Sequence, residues 1–118
     1  MMAQEPIIAD GGWVRITDST NFPAATTIAA ALVNIEPGAM REVHWHPHDG
    51  WQYYISGRGR MTVFASGGKA RTFNYQDVGS VPFAMAHYVE NLGDEPLRTS
   101  KCFAALASWT CRSINGWR

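Results

Sequence analysis

Apolar and polar positions alternate in short runs along most of the chain, and glycine, proline and asparagine punctuate them. Residues 13–17, Trp-Val-Arg-Ile-Thr, alternate and suit a short strand. Residues 26–35 are apolar at nearly every position and rich in branched side chains. That fits a buried strand, although the alanines leave a helix open as the alternative. After the turn Glu36-Pro37-Gly38-Ala39, strand-like runs follow at 41–46, 51–56, 59–64, 70–75, 80–83 and 87–91. The runs at 51–56 and 59–64 predict a hairpin about Gly57, and Ser66-Gly67-Gly68 predicts a second one. Tandem repeats, low-complexity tracts and long linkers are absent from the sequence. Short strands at this spacing predict an all-β sandwich or barrel.

Composition narrows the picture. A chain of 118 residues with 46% hydrophobic content is one domain that can bury a core, not a disordered segment. Its formal net charge of zero argues against nucleic-acid or anionic-membrane partners, which need a basic surface. There is no apolar run of the roughly 18 residues that a membrane-spanning helix needs. The first residues lack a basic patch followed by an apolar core, so no signal peptide is expected and a cytoplasmic location is. Cys102 and Cys111 lack CxxC spacing and read as reduced thiols.

The chemistry gathers at Arg41-Glu-Val-His44-Trp-His46. On a strand, residues two apart face the same way, so His44 and His46 aim at one point. His87 opens a later strand-like run and is the candidate third ligand. Neutral imidazole is a common ligand of first-row transition metals. The alternative is a buried histidine pair whose ring nitrogens are already satisfied. Arg41, three residues before His44, could face an anion near the metal. An ordinary ion pair with Glu36 or Glu42 is the alternative for it.

His44-Trp-His46, Trp51-Gln-Tyr-Tyr-Ile-Ser-Gly57, Arg60-Met-Thr-Val-Phe64 and Val81-Pro-Phe-Ala-Met-Ala-His87-Tyr-Val-Glu-Asn91 resemble the cupin superfamily. They are most similar to the second cupin half of bacterial and fungal oxalate decarboxylases. Residues 13–22 and 35–41 extend the resemblance. It implies a single-domain cupin over residues 11–99, a jelly-roll β-barrel also described as a double-stranded β-helix. Residues 1–10 form a leader that could lie against another subunit, and residues 100–118 form an atypical C-terminal tail. The resemblance further implies a manganese ion held by His44, His46, His87 and a glutamate, with Arg41 beside a bound carboxylate such as oxalate. Other divalent metals, namely zinc, nickel, copper and iron, remain open. A homodimer is expected, since isolated cupin domains often pair.

The chain departs from the resembled pattern in several places. Gly50 stands where a glutamate ligand is expected, and the loop before Trp51 is one residue short. Asp49 or His48 could replace that ligand if the loop bends inward. Three neutral imidazoles leave the ion's charge unbalanced, which weakens manganese relative to zinc, nickel or copper. Gln76-Asp77 lacks two small residues that usually separate them, which shortens a turn. Lys101 stands where the last strand carries a glutamate near the metal. A decarboxylase must return a proton to carbon, so it needs an acid within reach. The sequence also holds one copy of the motif set where the resembled enzymes have two.

Residues 100–118 carry three basic residues and no acidic one. Their pattern predicts an exposed or irregular segment that does not complete the barrel. The resembled enzymes end in a sequence beginning Thr-Phe-Glu-Met-Phe-Arg. Deleting one nucleotide from suitably chosen codons for that ending reproduces residues 99–118 throughout, so the tail reads as a frameshift product. The leading functional expectation is a metal-binding cupin with weak or no decarboxylase activity. The rivals are an active manganese-dependent decarboxylase or oxidase and a metal-free small-molecule binding module.

Overall fold

A computed structural model describes residues 3–64, 67 and 69–104. These residues form ten strands: β1 (Ile7–Ala9), β2 (Gly12–Thr17), β3 (Ile28–Ile35), β4 (Met40–His44), β5 (Gly50–Ser56), β6 (Gly59–Val63), β7 (Lys69–Phe73), β8 (Val78–Val81), β9 (His87–Asn91) and β10 (Leu97–Ala104). Two antiparallel sheets result, one in the order β1-β2-β3-β10-β5-β8 and the other β4-β9-β6-β7. No helix among the described residues is long and apolar enough to cross a membrane.

Alternation sets the inner faces. Val33, Ile35, Tyr54 and Leu97 from the six-stranded sheet pack with Met61 and Val89 from the four-stranded one. The apolar run at 26–35 becomes β3, paired on one side with β2 and on the other with β10. Ladders on both edges fix the extended form and exclude the helical alternative. Part of the leader is also in the sheet, because Ile7–Ala9 forms the edge strand β1 against β2.

The hairpin expected about Gly57 does not form. Strand β5 pairs with β10 and β8, whereas β6 pairs with β9 and β7, so Gly57 turns a corner between the sheets. Its φ is +81°, and a Cβ there would lie 2.9 Å from the Leu97 Cα and 3.0 Å from the Pro96 carbonyl oxygen. Only glycine meets both conditions without strain. The second expected hairpin is present as β6–β7, with Gly59 opposite Phe73 and Val63 opposite Lys69. The shortened Gln76-Asp77 turn is tight: Gln76 has φ +70°, and its N–H donates to the Tyr54 carbonyl at 2.9 Å. Strand β8 still pairs with β5, so the deletion is absorbed within the turn.

The expectation of an irregular, exposed tail is overturned for residues 100–104. Strand β10 lies between β3 and β5 and pairs with both. Leu97, Thr99, Lys101 and Phe103 are buried, while Arg98, Cys102 and Ala104 are exposed. Alternation that begins at Leu97 therefore carries through Phe103. Backbone ladders on both sides hold the strand whatever residue occupies position 101, and the four-carbon stem of lysine packs as an apolar chain. Residues 105–118, with Cys111, lie outside the described residues.

Candidate metal centre

Strands β4 and β9 place two of the three candidate ligands opposite each other. His44 and His87 are direct antiparallel partners, and the ladder shifts register between Arg41 and His44. His46 follows just beyond the end of β4, and all three histidines are buried. Ring centroids are 4.2 Å apart for His44–His87, 4.9 Å for His46–His87 and 5.0 Å for His44–His46. One ring nitrogen from each lies within 4.8 Å of the other two.

The remaining nitrogens show how the rings are held. His44 Nδ1 lies 2.7 Å from the Glu42 carbonyl oxygen, and His87 Nδ1 lies 3.0 Å from that of Met85. A carbonyl only accepts, so each Nδ1 donates and each Nε2 keeps its lone pair. Those Nε2 atoms, and both ring nitrogens of His46, are buried without a hydrogen-bond partner among the described residues. Buried polar atoms ordinarily find partners, so this cluster is unlike a set of satisfied core histidines. Converging imidazole lone pairs, with the His44 and His87 rings each oriented by a backbone carbonyl, fit a transition metal.

The electrostatics are one-sided. Burial, then Lys101, then His87, Arg41 and His48 hold the His46 imidazole down at about 2. Burial and Lys101 bring His87 down to about 4, the Met85 carbonyl opposing them and Arg41 adding to them. His44 is depressed further, by burial first and then by Lys101, Arg41 and His87. All three rings are therefore neutral at neutral pH. Lys101, only 3% exposed, is the strongest charged influence on each of them. Arg41, half-buried on β4, acts on all three as well. No carboxylate contributes to any of the three shifts among the described residues.

Asp49 and His48 go separate ways. Asp49 is exposed, and its Oδ1 accepts the Phe83 N–H at 2.8 Å, outside the ligand cluster. His48 is buried, stacked on His46 at 5.8 Å with rings 10° from parallel, and 5.2 Å from the Phe103 ring. At Gly50 a Cβ would stand 3.9 Å from His46 Nδ1 but only 3.2 Å from Phe103 Cε1. Phe103 thus fills the space through which a side chain at position 50 would reach the cluster. Gln52 went unremarked at the sequence level. It is 2% exposed and sits opposite Lys101 in the β5–β10 register. Its place on the inward phase of β5, between Gly50 and Tyr54, was the available signal.

An enclosed cluster of three histidines between two antiparallel sheets defines the class: a small all-β barrel with an internal imidazole site. A family model described as Cupin matches residues 2–105, and the chain belongs to the cupin family. It is 70% identical over 101 residues to oxalate decarboxylase OxdC of Bacillus subtilis, covering 82% of this chain and 26% of that protein. It is 48% identical over 88 residues to an oxalate decarboxylase of Arthroderma benhamiae, covering 72% of this chain and 21% of that protein. A structure concerned with the Mn(II) centres of the Bacillus subtilis oxalate decarboxylase superposes with a TM-score of 0.78 at 67% identity, covering 86% of this chain and 28% of that one. The chain thus spans about a quarter of the length of the relatives it matches.

Proposed function

We propose that this chain is a metal-binding cupin derived from the oxalate decarboxylases, with weak or no decarboxylase activity. His44, His46 and His87 hold a first-row transition metal through nitrogen. Kinship with a protein that has Mn(II) centres favours manganese, whereas an all-imidazole donor set favours zinc, nickel or copper. Bound there, the metal supplies a Lewis acid toward a small carboxylate such as oxalate. Arg41 orients that carboxylate by paired charge-assisted hydrogen bonds.

The observation that carries the reading is Lys101, buried beside three neutral imidazoles with no carboxylate among the described residues acting on them. Decarboxylation needs a proton returned to carbon, and a missing general acid typically costs roughly 10²–10⁴ in rate. A frameshifted tail belongs to the same reading, since it accounts for a lysine at this position. Resequencing the gene tests that part. The exposed apolar row of Trp51, Tyr53 and Val78 supports a homodimer, which sedimentation analysis tests. The exposed free thiol of Cys102 supports a cytoplasmic location, which cell fractionation tests.

The deciding experiment is metal analysis of untagged protein, followed by product analysis with oxalate. The expected result is about one transition metal per chain after reconstitution, with formate and carbon dioxide at or near background. Turnover comparable to the longer relatives would establish the active enzyme instead. Protein that takes up no metal would leave the metal-free binding module.

A further inference from the structure

His46 is held differently from the other two histidines of the cluster. The His44 and His87 rings are each tied through Nδ1 to a backbone carbonyl, of Glu42 and Met85 respectively. Neither ring nitrogen of His46 has a hydrogen-bond partner among the described residues. Its backbone is anchored, since its carbonyl accepts the Ala84 N–H at 2.9 Å. What remains to be fixed is the side chain, which turns about its own single bonds. Two buried rings close on it. His48 stacks at 5.8 Å with the planes 10° apart, and Phe103 meets it edge-on at 5.0 Å and 63°. His48 and Phe103 are also neighbours, with centroids 5.2 Å apart. Phe103 stands opposite Gly50 in the β5–β10 register, where no side chain displaces it. These are separations at which aromatic rings attract.

A hydrogen bond fixes an imidazole by direction, whereas packing fixes it by excluding the other rotamers. We propose that His48 is a positioning residue for the third metal ligand. Its ring, backed by Phe103, selects the rotamer in which His46 joins His44 and His87. His48 is outside the set of nitrogens that lie within 4.8 Å of one another, so it acts through His46 and not on the metal. An imidazole free to sample rotamers must be immobilised when it binds a metal, which costs up to about tenfold in affinity. With His48 in place, that ordering precedes the metal. This inference rests on the three-histidine metal reading above.

Two variants separate the ring from its nitrogens. His48→Phe keeps a flat ring that can stack, and His48→Ala removes it. Cobalt(II) is the probe, because its visible absorption reports coordination independently of any catalysis, and calorimetry gives its affinity. His48→Phe is expected to bind cobalt within about twofold of the unaltered chain, with the same spectrum. His48→Ala is expected to bind it at least about threefold more weakly. Nuclear magnetic resonance of the metal-free proteins supplies a second measurement. The three-bond couplings about the His46 Cα–Cβ bond should report one rotamer in the unaltered chain and in His48→Phe, and an average in His48→Ala. Those of His44 and His87, each held by a carbonyl, should not change. If His48→Ala does not fold, His48→Leu takes its place, filling the volume without a flat ring.

Equal cobalt affinity in the unaltered chain and in the variant without a flat ring overturns the inference and leaves the metal site standing. A fall in His48→Phe as large as that in His48→Ala also overturns it, because the nitrogens of His48 then matter. Averaged His46 couplings in the unaltered chain do the same, since the two rings then fail to fix it. Absence of cobalt binding by the unaltered chain removes the three-histidine reading and this inference with it.

Discussion

His44 and His87 are direct cross-strand partners on β4 and β9, with ring centroids 4.2 Å apart and each Nδ1 tied to a carbonyl two residues before it. The pairing brings two lone pairs together from segments more than forty residues apart in the chain. Burial first, and then Lys101, makes both rings hard to protonate, with consequences for stability.

In the metal-free protein, stability should fall on acidification. Unfolded imidazoles titrate near 6.5, whereas folded His87 lies near 4, folded His46 near 2 and His44 also far below normal. Below 6.5 the unfolded chain takes up protons that the native state refuses. The histidine contribution is thus fully present above 6.5, declines between 6.5 and 4, and keeps declining below that through His46 and His44. Each imidazole adds a slope of up to roughly 1.4 kcal/mol per pH unit. Urea denaturation of the metal-free protein at about pH 7.5, 6 and 5 checks this. Equal stability at all three values would rule it out.

Asp49→Ala should leave metal affinity within about twofold, because Asp49 is committed to the Phe83 N–H. His46→Ala should reduce metal binding beyond detection. Loss of the Asp49 hydrogen bond should cost about 1 kcal/mol in stability. A large drop in metal affinity in Asp49→Ala, measured by equilibrium dialysis, would show that the loop rearranges to bring in the carboxylate.

Gly50→Glu by itself should be destabilising, since its Cβ meets Phe103 Cε1 at 3.2 Å. Overpacking of this kind typically costs about 1–3 kcal/mol. Combined with Phe103→Ala, which vacates the space, the glutamate can approach His46 and should tighten manganese binding about tenfold or more. Electron paramagnetic resonance of free against bound manganese measures it. No gain in the double variant would mean that position 50 does not address the cluster.

Gly57→Ala should cost about 2 kcal/mol or more, because a positive φ and a backbone contact act together. The denaturation midpoint should drop while the cobalt spectrum of the surviving folded protein stays unchanged. A change below about 0.5 kcal/mol would show that the corner relaxes easily.

Much of the barrel was legible in the sequence because alternation is a local property. Each strand announces its inward phase, and the two-residue spacing of His44 and His46 aims both the same way. Sheet membership was not legible. Gly57 read as a hairpin turn because sequence shows where a chain bends, not which edges are already occupied. Strand β10 likewise read as a failed ending because lysine at position 101 is a poor core residue on local grounds. The ladders with β3 and β5 place it inside nonetheless, since backbone pairing on two edges outweighs one side chain's preference. Tertiary structure alone sent Asp49 to the Phe83 amide and His48 onto His46, because adjacent loop residues face apart and their partners lie on distant strands. It also set Gln52 against Lys101, a relation fixed by β5–β10 register across about fifty residues of intervening chain.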